Sequence, residues 1–179
     1  MSQRFLIADT HFYDENIMKF EGRPFKTVEE MNKQIVDNWN SVVSSEDIVY
    51  MLGDFFGYCA GDSGYFKVEK IVNDLKGRIV LIRGNHETDE QISWFKKLGI
   101  EVIEYPIVLD NFYILSHEPM YVSENMPYAN IFGHIHNNPM YKTCSSRSYC
   151  VSVERINYTP ILFDIIKHNI LNENKTKNS

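Results

Sequence analysis

One pattern recurs five times in this sequence: a short apolar run stops abruptly at residues that can bind a metal ion. Continuous apolar runs are typical of strands buried on both faces of a sheet. The segments that follow the runs are Asp9, Gly53-Asp54, Gly84-Asn85-His86, Ser116-His117 and Gly133-His134-Ile135-His136. Because the carboxyl ends of parallel strands meet at one edge of a sheet, the pattern predicts a single site built from all five segments.

Helical patterns separate the first predicted strands. The clearest begins at Thr27 as N-cap, with Glu30 completing a capping box and apolar residues following at helical spacing. Similar patterns predict a second helix around residues 68–75 and a third from near Thr88. The first half therefore has a β-α-β-α-β-α pattern, whereas the second half favours strands and loops until residues 161–171, which indicate a strand end and a helix.

Length and composition bound the class of protein. The chain has 179 residues, 44% of them hydrophobic and 23% charged, which predicts one domain over residues 1–171 and a polar, frayed tail over 172–179. A net charge of −6 argues against general attraction to nucleic acid or anionic membranes. No apolar run is long enough for a membrane span or a signal peptide, so we expect a cytoplasmic protein. Oligomeric state is not readable from the sequence.

The three cysteines are Cys59, Cys144 and Cys150, and none forms a pair at CxxC spacing. Their odd number and the expected compartment favour reduced thiols over a Cys144–Cys150 disulfide.

Five of the six histidines lie in the strand-end segments, and only His168 is elsewhere. Core packing does not explain this distribution, since a core histidine needs only one or two hydrogen-bond partners. A mixed group of imidazole, carboxylate and amide donors is what borderline divalent metals prefer. The sequence therefore predicts a metal site, although each Asp or Asn taken alone fits an ordinary turn or helix cap.

These segments resemble, in content and order, five blocks of the calcineurin-like metallophosphoesterase superfamily. The blocks are Asp9-Thr10-His11, Gly53-Asp54, Gly84-Asn85-His86-Glu87, His117 and Gly133-His134-Ile135-His136. Residues 9–25 and 151–160 are further similar to its small, cap-less bacterial and phage members. The resemblance implies a four-layer α/β/β/α sandwich with two mixed β-sheets. The three glycines of the blocks are expected to let the backbone bend sharply where the strands end.

The resemblance also implies two divalent metal ions, with Mn²⁺ expected in assay and Fe, Zn²⁺ or Co²⁺ as alternatives. It implies that one ion is held by Asp9, His11, Asp54 and His136, and the other by Asp54, Asn85, His117 and His134. The implied reaction is in-line attack on phosphorus by a hydroxide that bridges the ions. His86 would protonate the leaving oxygen or stabilise the transition state, and Glu87 would orient His86.

The substrate stays open at this level, because phosphodiesters and phosphomonoesters both fit a small phosphate-ester hydrolase. Arg23, Arg83 and Asn137 adjoin the motifs and are candidate phosphate contacts, with surface salt bridging as the alternative for either arginine. Asp14 stands where small members often carry a histidine, which predicts an altered contact near the site. The alternatives to an enzyme of this type are a non-catalytic interaction scaffold on the same fold and a nuclease-type subunit, against which the acidic charge counts.

Overall fold

The computed structural model describes residues 2–123, 125–138 and 147–176. The strands are β1 (Arg4–Ile7), β2 (Ile48–Met51), β3 (Arg78–Ile82), β4 (Glu101–Ile103), β5 (Ile107–Leu109), β6 (Tyr113–Leu115), β7 (Ala129–Phe132), β8 (Ser148–Cys150) and β9 (Ile161–Leu162). The helices are α1 (Glu15–Phe20), α2 (Val28–Val42), α3 (Gly61–Asp74), α4 (Asp89–Lys97) and α5 (Phe163–Thr176), with a 3₁₀ turn at Val153–Arg155.

The strands form two mixed sheets. In the five-stranded sheet, of order β4-β3-β2-β1-β9, the first four strands are parallel and β9 is antiparallel. In the four-stranded sheet, of order β5-β6-β7-β8, only β5 is antiparallel to its neighbour. Ile7 pairs with Met51, and Met51 pairs with Leu81, so β1, β2 and β3 end almost level with one another. The loops that follow them start at one edge.

The core is divided by the five-stranded sheet. Along β1, Phe5 and Ile7 face a core shared with α2, α3 and α4, whereas Leu6 lies in a second core between the two sheets. Side chains of α5, including Ile166 and Ile170, complete this second core. The alternation follows from the pleat, because successive residues of a strand point to opposite faces. The α/β sandwich with two mixed sheets, which the family resemblance implied, is confirmed.

Backbone hydrogen bonds link the two sheets where their strands end. The N–H of Ala8, just after β1, donates to the Val151 carbonyl at 2.9 Å, and the Val153 N–H donates to the Ala8 carbonyl at 3.1 Å. In the same region, the N–H of Asp9 donates to the Gly53 carbonyl at 3.0 Å. Because the loops after β1, β2 and β8 are hydrogen-bonded to one another, the residues they carry are held in fixed relative positions.

Helix ends differ in detail from the expectation. The Thr27 side chain accepts from the Glu30 N–H at 3.1 Å, but the Glu30 carboxylate accepts from the Lys26 N–H, so the predicted box is not closed. A complete capping box stands instead at the start of α4, between Thr88 and Gln91. Helix α1 has no buried residue, which explains why apolar periodicity did not predict it.

The remaining expectations concern the termini and the cysteines. Helix α5 continues through Thr176, into the segment expected to be a frayed tail. Cys59 and Cys150 are buried free thiols, whereas Cys144 lies outside the described residues. Within the described part of the chain, no helix combines the length and the apolar character needed to cross a membrane.

The Asp47 side chain ties the start of β1 to the loop before β2. Its carboxylate accepts hydrogen bonds from the N–H groups of Gln3 at 2.7 Å and Ser44 at 2.8 Å, and from the Ser44 hydroxyl at 2.8 Å. These hydrogen bonds hold the pKa of Asp47 below its usual value, because they favour the charged form.

We expect Asp47→Asn to lower the free energy of unfolding by about 1–2 kcal/mol at pH 7, because an amide NH₂ replaces one acceptor oxygen. Since the folded-state pKa is lowered, the wild-type stabilisation is present above the unfolded-state pKa of about 3.9 and is lost as pH falls through the folded-state value. Urea denaturation at pH 7 and pH 3 measures both effects. Asp37→Asn, in an exposed ion pair of α2, serves as the control. An equal difference at both pH values would contradict the assignment.

Candidate metal centre

Five of the seven predicted metal ligands have left-handed backbone conformation. These residues are Asp9 (φ 58°), His11 (φ 48°), Asp54 (φ 55°), His134 (φ 69°) and His136 (φ 45°). Positive φ is uncommon outside glycine and is costly, so such residues concentrate where the surrounding structure enforces them for function. Here the left-handed turns let each chain segment reverse direction immediately after its strand and bring its side chain into a shared space.

The first donor set consists of Asp9, His11 and His136, whose potential ligand atoms lie within 4.8 Å of one another. The rings of His11 and His136 have centroids 5.3 Å apart. Both oxygens of the Asp9 carboxylate accept from the backbone N–H of His134 at 2.9 Å. This hydrogen bond joins a residue after β1 to a residue after β7, so the two sheets together form the set.

The second donor set consists of Asp54, Asn85, His117 and His134. Its two rings converge on the amide oxygen of Asn85, with His117 Nε2 at 2.8 Å and His134 Nδ1 at 2.9 Å. His117 Nε2 also lies 3.3 Å from Asp54 Oδ2. His117, a plain loop residue by local sequence alone, is therefore brought into the cluster by its position after β6.

Three of the imidazole rings are each held in place by a contact between Nδ1 and an oxygen atom behind the ring. The Nδ1 atoms of His11, His117 and His136 lie respectively 3.3 Å from Asp14 Oδ2, 2.8 Å from the Leu52 carbonyl oxygen and 3.0 Å from Glu154 Oε1. With the proton on Nδ1, each ring would present Nε2 as its potential ligand atom. Hydrogen bonds from the ring nitrogen that does not bind the metal fix the tautomer and orientation of metal-binding histidines.

One buried ring nitrogen of the cluster is available to a further partner. His11 Nε2 is buried without a hydrogen-bond partner and lies 3.6 Å from Asp54 Oδ2. Buried polar groups in proteins are almost always paired. The imidazole, carboxylate and amide donors around this atom are those that Mn²⁺, Fe, Zn²⁺ and Co²⁺ accept, so these residues fit the divalent ions that the sequence predicts.

His86 lies beside both donor sets at the solvent side. Its exposed ring belongs to a third group with His11 and Asp54, and its centroid lies 5.0 Å from that of His11. Its backbone N–H donates to Asp54 Oδ1 at 3.0 Å. The ring can therefore reach a molecule bound over the cluster, while the main chain supports the Asp54 carboxylate.

Glu87 has a different position from the one expected. Its buried carboxylate accepts from three backbone N–H groups, those of Asp54 at 3.1 Å, Phe55 at 2.7 Å and Gly84 at 2.6 Å. It therefore holds the loops after β2 and β3 together and does not orient the His86 ring. Burial and the Asp54 charge raise the pKa of Glu87, against the effect of these three hydrogen bonds.

The electrostatics of the cluster favour positive charge at its centre. Burial alone would raise the pKa of Asp54, but the His11 and His117 rings hold it well below its usual value. Burial alone would lower the pKa of both imidazoles, yet contacts with Asp14 and Asp54 raise that of His11 to about 9, and contacts with Asp54 and Asp9 raise that of His117 to about 9. Desolvation raises the pKa of Asp9. Divalent cations supply the same positive charge.

Arg23 is not placed to contact a substrate, and it is not at the surface. Its buried guanidinium donates to the carbonyl oxygens of Asp9 at 2.7 Å and Thr10 at 2.9 Å, and it pairs with Glu154 at 2.7 Å. Glu154 is also the acceptor for His136. Burial alone would raise the pKa of Glu154, but the His136 hydrogen bond and the Arg23 charge bring it below its usual value.

Glu154 is thus a residue that the sequence analysis did not single out. The signal was the similarity of residues 151–160 to small members of the superfamily, but nothing in that tract distinguishes one carboxylate from another. Together, Arg23 and Glu154 form an ion pair that connects the backbone of Asp9 to the ring of His136.

The other two candidate substrate contacts lie at the edge of the site. Arg83 is partly exposed and donates to Asp89 Oδ1 at 2.8 Å and the Glu87 carbonyl at 3.0 Å, with Glu104 at 3.8 Å. Surface salt bridging, the alternative given for this arginine, therefore describes its contacts. Asn137 is exposed next to His136.

Asp14 has two roles in the structure. One oxygen caps α1 by accepting from the N–H groups of Asn16 and Ile17, and the other contacts His11 Nδ1. The residue that stands in place of the histidine often found in small members therefore connects α1 to the first donor set.

Two of the motif glycines are required by close approach. A Cβ on Gly84 would lie 2.7 Å from the Asp54 backbone nitrogen, and one on Gly133 would lie 2.7 Å from Asp9 Oδ2. Neither has positive φ. The expectation that these glycines serve to bend the chain is therefore replaced by a steric reason, since a side chain would displace the carboxylates.

The fold and the His/Asp clusters together define a metal-dependent phosphoesterase in general terms. A family model described as calcineurin-like phosphoesterase matches residues 5–178. The chain therefore belongs to the calcineurin-like phosphoesterase family, as the motifs predicted.

Two similar proteins cover nearly the whole chain. An uncharacterised protein of Methanocaldococcus jannaschii is 39% identical over a match of 175 residues, and the match covers 93% of this chain and 90% of that protein. The crystal structure of a protein of unknown function from Aquifex aeolicus has a TM-score of 0.72 and 28% identity, and the match covers 94% of this chain and 99% of that one.

We expect Glu154→Gln to weaken Mn²⁺ binding by about 10–100-fold, because the neutral amide leaves Arg23 uncompensated and holds His136 less firmly. Calorimetric titration with Mn²⁺ measures the affinity, and circular dichroism checks the fold. The matched control is Glu101→Gln. This substitution removes the exposed Arg78–Glu101 ion pair, and neither of its residues belongs to a donor set. Unchanged Mn²⁺ affinity in a folded Glu154→Gln protein would contradict the role given to the Arg23–Glu154 ion pair in supporting His136.

Proposed function

We propose that this protein is a two-metal phosphoesterase that hydrolyses a small phosphate ester by in-line attack of water on phosphorus. The observation that carries the proposal is the position of Asp54, a member of the second donor set that also lies beside His11 of the first. One oxygen of its carboxylate lies 3.6 Å from His11 Nε2 and 3.3 Å from His117 Nε2. Two cations a few ångströms apart need a shared anionic ligand to offset their repulsion.

The proposed ligands follow from this arrangement. Asp54 would be shared, the first donor set would complete one ion, and the rest of the second donor set would complete the other. When bound, the cations lower the pKa of a water nucleophile and offset charge on the phosphoryl oxygens. Mn²⁺ is the ion expected in assay, and Fe, Zn²⁺ and Co²⁺ suit the same ligands.

Protein groups supply the remaining steps. The exposed ring of His86 is the proposed proton donor to the leaving oxygen, since it adjoins the cluster and is accessible to a bound ester. Glu87 acts as a positioning residue, because its carboxylate holds the backbone of Asp54 and Gly84. Asp14 and Glu154 keep the rings of His11 and His136 aimed at the centre.

We expect the wild-type protein to bind about two Mn²⁺ ions per chain and to hydrolyse a p-nitrophenyl ester. Asp54→Asn should lose both metal binding and turnover, because the shared ligand loses its charge. His86→Ala should keep the metal and lower kcat by about 10²–10⁴-fold, since only the proton donor is removed. Elemental analysis measures the metal, and bis-p-nitrophenyl phosphate and p-nitrophenyl phosphate report turnover.

His168→Ala is the control, because His168 is an exposed histidine of α5 outside both donor sets. Two bound ions without turnover of either ester would argue against a phosphoesterase and for the scaffold alternative. Turnover that survives in Asp54→Asn would remove the shared-ligand assignment.

A further inference from the structure

Two clefts open beside the candidate metal centre. The first, here the Arg83 cleft, has a volume of about 400 Å³ and reaches the centre at Asn85 and His117. The second, here the Phe20 cleft, has a volume of about 480 Å³ and reaches the centre at His134 and His136. Each cleft is large enough for a small organic group.

The clefts share a wall, since Glu118 and Pro119 line both of them. Both clefts also end on residues of the second donor set, Asn85 and His117 in one and His134 in the other. A phosphorus atom held at the centre therefore has space for one substituent in each cleft. A monoester has one organic substituent and would fill one cleft only.

Each cleft carries one exposed aromatic ring. Phe20, at the end of α1, is 86% exposed, and Tyr105 in the Arg83 cleft is 76% exposed. Helix α1 buries no residue in the core, but its N-cap Asp14 contacts His11 of the first donor set. Aromatic side chains that line a pocket can pack on the apolar part of a ligand. Both rings are available to pack on an organic group.

The charge of the walls is unfavourable for further phosphates. In the Arg83 cleft, the guanidinium is already paired with Asp89 and lies 3.8 Å from Glu104. The Phe20 cleft is lined by Glu21 and Glu118, and no lysine or arginine is among its described lining residues. A substrate with anionic arms, such as a polynucleotide, would meet carboxylates in place of unpaired cations.

We propose that the substrate is a phosphodiester with two uncharged, partly apolar arms, one in each cleft, an inference that rests on the proposed phosphoesterase function. In the reaction, the oxygen of water forms a new bond to phosphorus and the bond from phosphorus to one ester oxygen breaks. That oxygen takes up a proton, so the products are an alcohol and a phosphomonoester. No oxidant or reductant is needed.

The test varies one arm and keeps the leaving group constant. The esters are p-nitrophenyl phosphate, methyl p-nitrophenyl phosphate and phenyl p-nitrophenyl phosphate, all of which release p-nitrophenolate. With the Mn²⁺-loaded protein, we expect kcat/KM for the phenyl diester to exceed that for the methyl diester and for the monoester by about tenfold or more. A single-stranded oligonucleotide should not be cleaved.

A wall variant links this preference to the cleft. Phe20→Ala should lower the ratio of phenyl-diester to methyl-diester kcat/KM by about 5–20-fold, since the apolar wall is removed. Phe66→Ala is the matched control, an exposed aromatic on α3 that lines neither cleft. Calorimetric titration with diphenyl phosphate, on the His86→Ala background, should show the same loss as a change in Kd, independently of turnover.

The outcomes separate this inference from the proposed function. Hydrolysis of the monoester with equal or better efficiency than both diesters would overturn the diester inference and leave the phosphoesterase proposal standing. Oligonucleotide cleavage as efficient as that of the phenyl diester would overturn the inference that the two arms of the substrate are uncharged. Diester preference unaffected by Phe20→Ala, in both kinetics and binding, would overturn the assignment of the cleft. No turnover of any ester would overturn both proposals.

Discussion

The burial of four carboxylates at one edge of the sheets is the constraint on which the rest of this structure depends. A buried carboxylate is costly unless hydrogen bonds or opposite charges compensate it. Glu87 is compensated by three backbone N–H groups and Glu154 by Arg23 and a histidine, whereas Asp9 and Asp54 receive main-chain N–H groups and imidazoles. The loops that follow the strands must therefore adopt the conformations that deliver these donors.

This arrangement gives the site one rigid side and one open side. Asp9, His11 and Asp54 are buried and held from behind, whereas Asn85 and His134 are exposed at the surface of the cluster. The buried donors follow strand ends and are held by hydrogen bonds from residues behind them. They can therefore keep their positions with little reorganisation when a ligand binds. Asn85 and His134 line the two clefts, so the open side is where the proposed substrate would bind. The left-handed backbone of the buried donors is the energetic cost of that rigidity.

Local periodicity predicted the strands and helices that have a clear buried face, and the resemblance of the motifs to a family implied the two-sheet fold. The family and the two-sheet α/β class are confirmed, and β1, β2, β3, β6 and β7 lie where apolar runs indicated strands. The three-residue strands β4, β5 and β8 and the helix α1 were not predicted, because segments this short, or without a buried face, carry no clear period. The Glu30 cap prediction failed because Lys26 offered a competing N–H donor.

By itself the sequence determined the residue types, their order and their positions at strand ends, because parallel strands with level ends must bring such residues to one edge. Only the tertiary structure decided which residues support these side chains from the protein interior. Arg23 was predicted at the surface or on a substrate, yet it pairs with Glu154, 131 residues away, and the backbone of Asp9. Glu87 holds main-chain amides, and the clefts arise from loops of both sheets. Contacts between distant segments depend on how the two sheets pack, and local spacing does not encode that packing.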